Sequence, residues 1–121
     1  MSRIHILILV LFVGCEQSTE PTGTVTAIMD GSQLVVANNS SAVAYHTILE
    51  GDIAARANWM AICTPENSIS VSGRVQIGIT ESSYLPSNEA IVYWWHQGKN
   101  KIAGTDFYGP DEIRAIVVKI R

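Results

Sequence analysis

The chain has 121 residues, of which 47% are hydrophobic and 16% are charged, and its net charge is −3 at pH 7. A chain of this length can bury one hydrophobic core, so we expect a single folded domain. Lysine and arginine residues are scattered singly along the chain. The sequence therefore predicts no nucleic-acid partner, because phosphate backbones are bound by clustered basic side chains.

Near the N-terminus lies a short apolar segment behind a single basic residue, Arg3. The segment runs from Ile6 to Val13 and ends in Leu11-Phe12-Val13-Gly14-Cys15. Eight apolar residues are too few to cross a hydrocarbon core of about 30 Å as a helix. A small residue before a cysteine also distinguishes the segment from an ordinary secretory signal. We interpret it as a cleaved leader that resembles the lipobox signal of bacterial lipoprotein precursors.

This resemblance implies a covalent lipid anchor and no other cofactor. It implies a signal peptide over residues 1–14, cleavage between Gly14 and Cys15, and a diacylglycerol on Cys15, with a further acyl chain such as palmitate on the new amino group. Two or more acyl chains anchor a protein essentially permanently, since each buried methylene contributes about 0.8 kcal/mol. Glu16 after the cysteine implies the outer membrane of a bacterial cell envelope. A plain secretory leader and a buried N-terminal strand are the alternatives.

The residues that follow the leader are polar and turn-prone. Residues 15–23 are predicted to be the lipidated cysteine and a flexible tether, and residues 24–121 a single domain held close to the membrane. Loss of Arg3 with the leader leaves seven basic and eleven acidic side chains, so the mature net charge is −4. We therefore expect no electrostatic attraction to anionic lipid in addition to the acyl anchor.

Apolar residues in the predicted domain alternate with a period of two, which indicates half-buried β-strands. Asp30-Gly31 is a turn signal between the first two runs and predicts a hairpin. One short segment, Asp52 to Met60, has helical spacing and begins with a residue able to cap a helix. The predicted strands are Val25 to Met29, Leu34 to Ala37, Val43 to Ile48, Arg74 to Thr80, Ala90 to His96 and Ile113 to Ile120.

Short strands separated by turns predict an all-β fold, a single antiparallel β-sandwich of about seven strands. The pattern over Gly23 to Arg121 resembles the immunoglobulin-like or fibronectin-III-like domains of envelope lipoproteins. The resemblance rests on the segments Val35-Val36-Ala37-Asn38-Asn39-Ser40 and Ala90-Ile91-Val92-Tyr93-Trp94-Trp95. It implies a recognition or scaffolding role. The bridged cysteines of antibody domains are missing, since acylation of Cys15 leaves Cys63 alone.

The run Tyr93-Trp94-Trp95-His96 is the densest aromatic segment of the predicted domain. In a strand, Trp94 and His96 point away from Trp95. If Trp95 is in the core, Trp94 is exposed and can stack on a sugar or a partner's side chain. The alternative is that neighbouring side chains or a loop cover Trp94. The polar segment Gln97 to Lys101 is predicted to be a hairpin turn. The hypothesised binding surface consists of Trp94, His96, Asp106 and Tyr108.

Cys63 has no neighbour in sequence that would lower its pKa, so we expect a buried, inert thiol. An intermolecular disulfide, a metal site and redox chemistry are the alternatives. A copper site would combine Cys63 with His46, His96 and either Met29 or Met60. His96 follows Cys63 by 33 residues, whereas cupredoxins carry the cysteine, the second histidine and the methionine on one loop. We therefore predict no metal ion.

The chain contains no Gly-x-Ser-x-Gly elbow, no His-Glu-x-x-His pair and no glycine-rich phosphate loop, so we do not expect an enzyme. The leading hypothesis is a recognition or adhesion module that binds an envelope protein or glycan. The alternative is a structural or assembly subunit that presents an edge strand to a partner. A small metal, redox or hydrolytic site is a remote alternative. An exposed apolar patch around Trp94 would favour recognition, and an unprotected edge strand at Ile113 to Ile120 would favour assembly.

Overall fold

The structure is a computed structural model that describes residues 20–120. The predicted signal peptide, the Gly14–Cys15 cleavage site and the first residues of the tether lie outside this part of the chain. The described residues form nine strands, one short helix and two 3-10 turns, at Pro65–Asn67 and Glu81–Tyr84. The strands are β1 Val25–Asp30, β2 Gln33–Asn38, β3 Ala44–Glu50, β4 Ser68–Ile69, β5 Arg74–Gly78, β6 Glu89–Trp95, β7 Gln97–Lys101, β8 Tyr108–Pro110 and β9 Arg114–Lys119, and the helix, α1, is Gly51–Ala54.

The strands pair in three sheets, and every pairing is antiparallel. The sheet orders are β1-β2-β5, β4-β3-β6-β9 and β7-β8. The prediction of an all-β fold is confirmed. The hairpin predicted at Asp30-Gly31 is also confirmed, because β1 and β2 pair up to Asp30 and Gln33. Gly31 adopts a φ of 65° there, which glycine tolerates without steric cost.

Each strand predicted from alternation is present, with ends that differ by at most two residues. In β5 the exposed and half-buried residues alternate along the whole strand, as the sequence indicates. The structure differs at the predicted turn Gln97 to Lys101, which is a strand, β7, paired with β8. This segment is polar throughout, so its strand conformation depends on its partner and not on an apolar pattern.

The helix predicted at Asp52 to Met60 is shorter and starts earlier. Helix α1 has four residues, and Glu50 caps it by accepting hydrogen bonds from the N–H groups of Asp52 and Ile53 at 2.9 and 3.0 Å. The Ser87 hydroxyl donates to the same carboxylate. This hydrogen bond and those from the helix lower the pKa of Glu50. The prediction that Asp52 caps the helix is wrong.

The main hydrophobic core lies between the three-stranded and the four-stranded sheet. Leu34 and Val36 of β2 are fully buried, as is Val92 of β6. Complete burial of an aliphatic side chain of this size contributes about 1.5–3 kcal/mol. Along one side of the core, β1 and β9 lie close together. The buried residues of this core are Val25, Leu34, Val36, Ala44, Ile69, Ala90, Val92, Trp94, Val118 and Ile120.

A second, smaller cluster covers the opposite face of β6. Trp95 lies at its centre, and the ring of Trp59 packs 6.0 Å from that of Trp95 and 4.7 Å from that of Tyr93. Ala61 and Cys63 are buried in the same cluster. The segment that follows α1 therefore lies across the outer face of the four-stranded sheet, and β6 is covered on both faces.

The end of the predicted tether is held against the folded domain. The Thr22 N–H donates to the Ser41 hydroxyl at 2.9 Å, and the Ser41 N–H donates to the Thr22 carbonyl at 2.9 Å. Gly23 adopts a φ of 84°. A Cβ at this position would lie 2.6 Å from the Asn39 carbonyl oxygen. Within residues 20–120, no helix has the length and apolar character needed to cross a membrane.

Candidate functional site

The structure places Trp94 and His96 inside the domain, with exposed fractions of 4% and 2%. The guanidinium of Arg114 lies 4.5 Å from the centre of the Trp94 ring, in a cation–π contact. The prediction that Trp94 is exposed is therefore wrong. The alternative, that neighbouring side chains cover Trp94, is what the structure shows. The reason is that β6 is buried on both faces, with Trp94 in the core between the sheets and Trp95 in the second cluster.

Asp106 and Tyr108, the other two residues of the hypothesised surface, belong to the β7–β8 hairpin. Asp106 is exposed, and Tyr108 is half-buried against the second cluster. The ammonium group of Lys101 lies 5.7 Å from the centre of the Tyr108 ring. Tyr108 thus packs on the Trp95 face of β6, opposite to Trp94. The four residues do not form one exposed surface.

In place of that surface, the structure shows a polar chain, which we define as Asn38, Ser40, His96, Asp111 and Arg114. Its centre is the 2.8 Å hydrogen bond between Ser40 Oγ and His96 Nε2. The backbone N–H of His96 donates to Asp111 Oδ1 at 2.9 Å, and the backbone N–H of Asp111 donates to the His96 carbonyl at 2.9 Å. Arg114 forms an ion pair with Asp111 at 3.2 Å. The chain connects the end of β2 to the end of β6 and the start of β9.

The order Asp111, His96, Ser40 is that of a serine hydrolase triad, but the hydrogen bonds run in the opposite direction. Ser40 Oγ has one hydrogen and two oxygen acceptors for it, Asn38 Oδ1 at 2.6 Å and the Ala42 carbonyl at 3.0 Å. With the hydrogen on either of these bonds, His96 Nε2 is the donor to Ser40 Oγ, whereas a serine nucleophile needs that nitrogen as an acceptor. Ser40 is also buried under Gly23, whose backbone lies against it. In this geometry Ser40 is a structural hydroxyl.

The Nδ1 atom of His96 faces a carboxylate without a hydrogen bond. It lies 3.7 Å from Asp111 Oδ2 and is buried. Burial lowers the pKa of His96, and Arg114 adds to this effect, while Asp111 opposes it. Burial by itself would raise the pKa of Asp111, but hydrogen bonds from Arg114 and from two backbone N–H groups outweigh it and lower that pKa. At neutral pH these two lowered pKa values favour a neutral His96 beside an ionised Asp111.

A polar cleft of about 490 Å³ opens beside Asp111. The residues that line it come from the segment before β1, from β7, and from the end of β8 to the start of β9. Two residues of the polar chain, Asp111 and Arg114, line this cleft. The polar side chains at the cleft include Glu20, Gln97, Lys99, Asn100, Glu112 and Arg114.

Cys63 is buried, and its thiol donates to the Gly109 carbonyl at 3.4 Å. Burial raises the pKa of the thiol, although the nearby Trp95 side chain acts in the opposite direction. His46 also has a lowered pKa because of burial, and its Nδ1 lies 3.0 Å from the Asn67 carbonyl. Within residues 20–120, no three histidine, cysteine, aspartate or glutamate side chains are grouped in a way that could hold a metal ion.

Strand β9 forms an edge of the four-stranded sheet, and in the described part of the chain it pairs with β6 alone. The Ile120 N–H, just after β9, donates to the Asn88 carbonyl on the β6 side at 3.0 Å. Main-chain groups alternate sides along a strand. The N–H and C=O groups of Ala115, Val117 and Lys119 therefore point away from β6, along the open edge.

An apolar row ends at this edge on the outer face of the sheet. Leu49 of β3 pairs with Ile91 of β6, which pairs with Val117 of β9. Val117 is 58% exposed. Two residues further on, Lys119 forms an ion pair with Glu89 at 3.6 Å. The edge strand thus carries an apolar side chain at its middle and a paired lysine at its end.

Sequence reasoning selected His96 and Trp94 and named Ile113 to Ile120 as a strand whose exposed edge would favour assembly, but it missed Asn38, Ser40 and Asp111. The segment Asn38-Asn39-Ser40-Ser41 has the composition of an ordinary turn, and Asp111 lies 15 residues from His96. Nothing local distinguishes a buried asparagine from the exposed one beside it.

Comparison with models of protein families, with curated proteins and with solved structures finds no match to this chain.

Proposed function

We propose that the protein is a lipid-anchored subunit of the bacterial cell envelope, placed in the outer membrane. The support is the segment Leu11 to Cys15, with its small residue before a cysteine behind a short apolar run. In the full chain, Cys15→Ala should abolish labelling by radioactive palmitate and leave an uncleaved precursor. Palmitate labelling that persists in Cys15→Ala would contradict the anchor.

The folded part is proposed to be a fibronectin-III-like β-sandwich. Seven strands in two sheets support this proposal, three in the order β1-β2-β5 and four in the order β4-β3-β6-β9, packed on one shared core. The β7–β8 hairpin is then an insertion between the last two strands of the four-stranded sheet.

The proposed role of the domain is assembly, through addition of a partner strand to the β9 edge. The observation that carries this proposal is the open edge of β9, with main-chain groups of Ala115, Val117 and Lys119 directed outward beside an exposed Val117. Natural sheets usually block such an edge with bulges, prolines or charged side chains, especially lysine. Strand β9 has no bulge and no proline, and its one lysine, Lys119, lies at its end beside Glu89, so the middle of the edge is open to β-augmentation.

A photo-crosslinking amino acid at position 117 of the full chain tests this role in living cells. Ile28 is a matched control position, since it is 60% exposed and lies on β1, an edge strand of the other sheet. We expect one discrete protein adduct from position 117 and none from position 28. Equal adducts from both positions, or none from either, would contradict assembly through β9.

A second candidate role, recognition of a polar ligand such as a glycan, is supported by the polar cleft beside Asp111. Asn100 lines this cleft and is exposed, whereas the exposed Asn58 lies elsewhere. If the cleft binds glycans, Asn100→Ala should weaken binding on an array of envelope glycans, and Asn58→Ala should not. Binding that is unchanged by Asn100→Ala would count against this role.

A further inference from the structure

We propose that the partner strand is β9 of a second copy of this chain, related to the first by a two-fold axis through Val117. This inference rests on the proposed assembly function and makes it specific. The contact would be isologous, with the same surface used by both subunits, and it would join two four-stranded sheets into one sheet of eight strands.

The main-chain groups of the edge are self-complementary under such an axis. A two-fold axis perpendicular to the sheet keeps each face on its own side, so every cross-strand pair must join side chains of the same face. With Val117 opposite Val117 of the second copy, Ala115 lies opposite Lys119. All of these residues direct their N–H and C=O groups outward. Each pair is therefore a hydrogen-bonded pair, as an antiparallel ladder requires.

The side chains on the outer face also match in this register. The row Leu49, Ile91, Val117 of one copy continues into the same three residues of the second in reverse order. The exposed Val117 side chains cover each other, and β-branched side chains in direct cross-strand pairs stabilise sheets. An exposed apolar side chain on one copy is thus covered by its own equivalent.

Charges on the strand do not oppose this contact. Lys119 lies opposite Ala115, whose short side chain leaves room for it, and its charge is matched by Glu89 in the same sheet. Arg114 is held by Asp111 at 3.2 Å and by the Trp94 ring. The two copies of Lys119 are separated along the strand direction by about 14 Å, four residues of an extended chain.

A register shifted to place Ile116 on the axis would also pair outward-directed groups. It would set Val117 opposite Ala115 and leave Lys119 opposite Ile113. This arrangement covers less apolar surface at Val117 and brings a charged residue against an apolar one, which disfavours it. The two registers give different distances between equivalent residues, and cross-linking separates them.

The first test is cysteine cross-linking of the full chain in native membranes, with two differently tagged copies expressed together. A short bis-maleimide should link Val117→Cys into a dimer that carries both tags. Ala115→Cys, with about 14 Å between its two copies along the strand, and Ile28→Cys should give only the background of the unsubstituted chain. Equal linking at positions 115 and 117 would overturn the Val117-centred register.

A different protein captured by Val117→Cys would overturn the second copy as partner while leaving assembly through β9 intact. Absence of any adduct from Val117→Cys would overturn both proposals. Near-ultraviolet circular dichroism of the buried tryptophans, unchanged from the unsubstituted chain, identifies variants that remain folded.

The second test compares Val117→Lys with Ile28→Lys in the detergent-solubilised full chain, by sedimentation velocity. Two lysines would face each other on the axis in Val117→Lys, and like charges in a direct cross-strand pair repel. We expect its dimer dissociation constant to rise about tenfold or more, with no change for Ile28→Lys. Equal dissociation constants for the two variants, or a chain that is monomeric without any substitution, would overturn the proposal.

Discussion

Strand β9 begins where the polar chain holds it and continues as an unpaired edge of the sheet. We call the region of the polar chain the closed end, and Ala115 to Lys119 the open edge. At its start, Arg114 is tied to Asp111, and Asp111 is tied through His96 to Ser40. From Ala115 to Lys119 the outward main-chain groups pair with no other strand in the described part of the chain, although β1 lies close to β9. The side-chain hydrogen bonds that close the first region are lacking in the second.

The polar chain stabilises the single domain, whereas the edge from Ala115 to Lys119 is available for contact with a partner. Buried polar groups destabilise a protein unless every hydrogen-bond partner is present. Substitutions in the polar chain should therefore lower the free energy of unfolding strongly and alter its dependence on pH. Substitutions at the exposed edge should change the unfolding free energy of a single copy little and should affect association instead. The predictions below test this division, beginning with the largest expected effect.

Removal of the Asn38 side chain should be the most damaging change. Its Nδ2 donates to the carbonyls of Ala42 and Ile69 at 2.9 Å, and its Oδ1 accepts from the Ser40 N–H at 3.0 Å. Asn38→Ala leaves these buried groups without partners and should lower the free energy of unfolding by about 3 kcal/mol. Urea denaturation measures it. The exposed neighbour is the control, and Asn39→Ala should cost no more than about 0.5 kcal/mol. Similar losses in the two variants would contradict the account of the closed end.

Gly23→Ala should destabilise the closed end through a steric clash. Gly23 has a φ of 84°, and a Cβ would lie 2.6 Å from the Asn39 carbonyl oxygen. Gly104 has a φ of 82° but open space around it, so Gly104→Ala isolates the backbone strain. We expect losses of about 2 kcal/mol for Gly23→Ala and about 1 kcal/mol for Gly104→Ala in thermal unfolding. A larger loss for Gly104→Ala would show that the segment before β1 is not packed as described.

The closed end should also make stability depend on pH. The pKa of His96 is lowered from its ordinary value of 6.5, so the unfolded chain binds a proton that the folded chain resists. Stability is then fully present above pH 6.5 and is lost as the pH falls through the lowered pKa. His46 has a pKa lowered in the same direction. His96→Gln and His46→Gln should each remove part of the slope of unfolding free energy against pH below about 6.5. An unchanged slope in His96→Gln would contradict the neutral, buried imidazole.

At the open edge, Val117→Thr should have the smallest effect on the fold itself. The side chain is 58% exposed, and the substitution keeps its shape and its N–H group. In dilute protein we expect a change in unfolding free energy within about 0.5 kcal/mol, measured by urea denaturation. A loss above 1.5 kcal/mol would mean that Val117 is part of the core of a single copy.

The strands could be predicted from sequence because each half-buried strand carries its own alternating pattern. The pattern at Arg74 to Thr80 is visible without any knowledge of its partner. Strand β7 could not be predicted in this way, since Gln97 to Lys101 is polar and its conformation depends on β8, which follows a turn of six residues.

The candidate site was harder to predict, because its residues are joined only by the fold. Alternation correctly separates Trp94 from Trp95, but it cannot say which face meets the other sheet, and it cannot show that Trp59 covers the second face. The partners of His96 lie 56 residues before it and 15 residues after it. The position of β9 at an edge of its sheet also depends on the whole fold, because alternation at Ile113 to Ile120 predicts a strand but not its neighbours.

Amide hydrogen exchange at Val117 and Val118 tests the central claim most directly. In the solubilised full chain, the Val118 N–H lies on the β6 side and should be protected at every concentration. The Val117 N–H points along the open edge, so it should exchange rapidly in dilute protein and slow about tenfold or more as the dimer forms. A Val117 exchange rate that is independent of concentration, whether fast or slow, would contradict strand pairing between two copies.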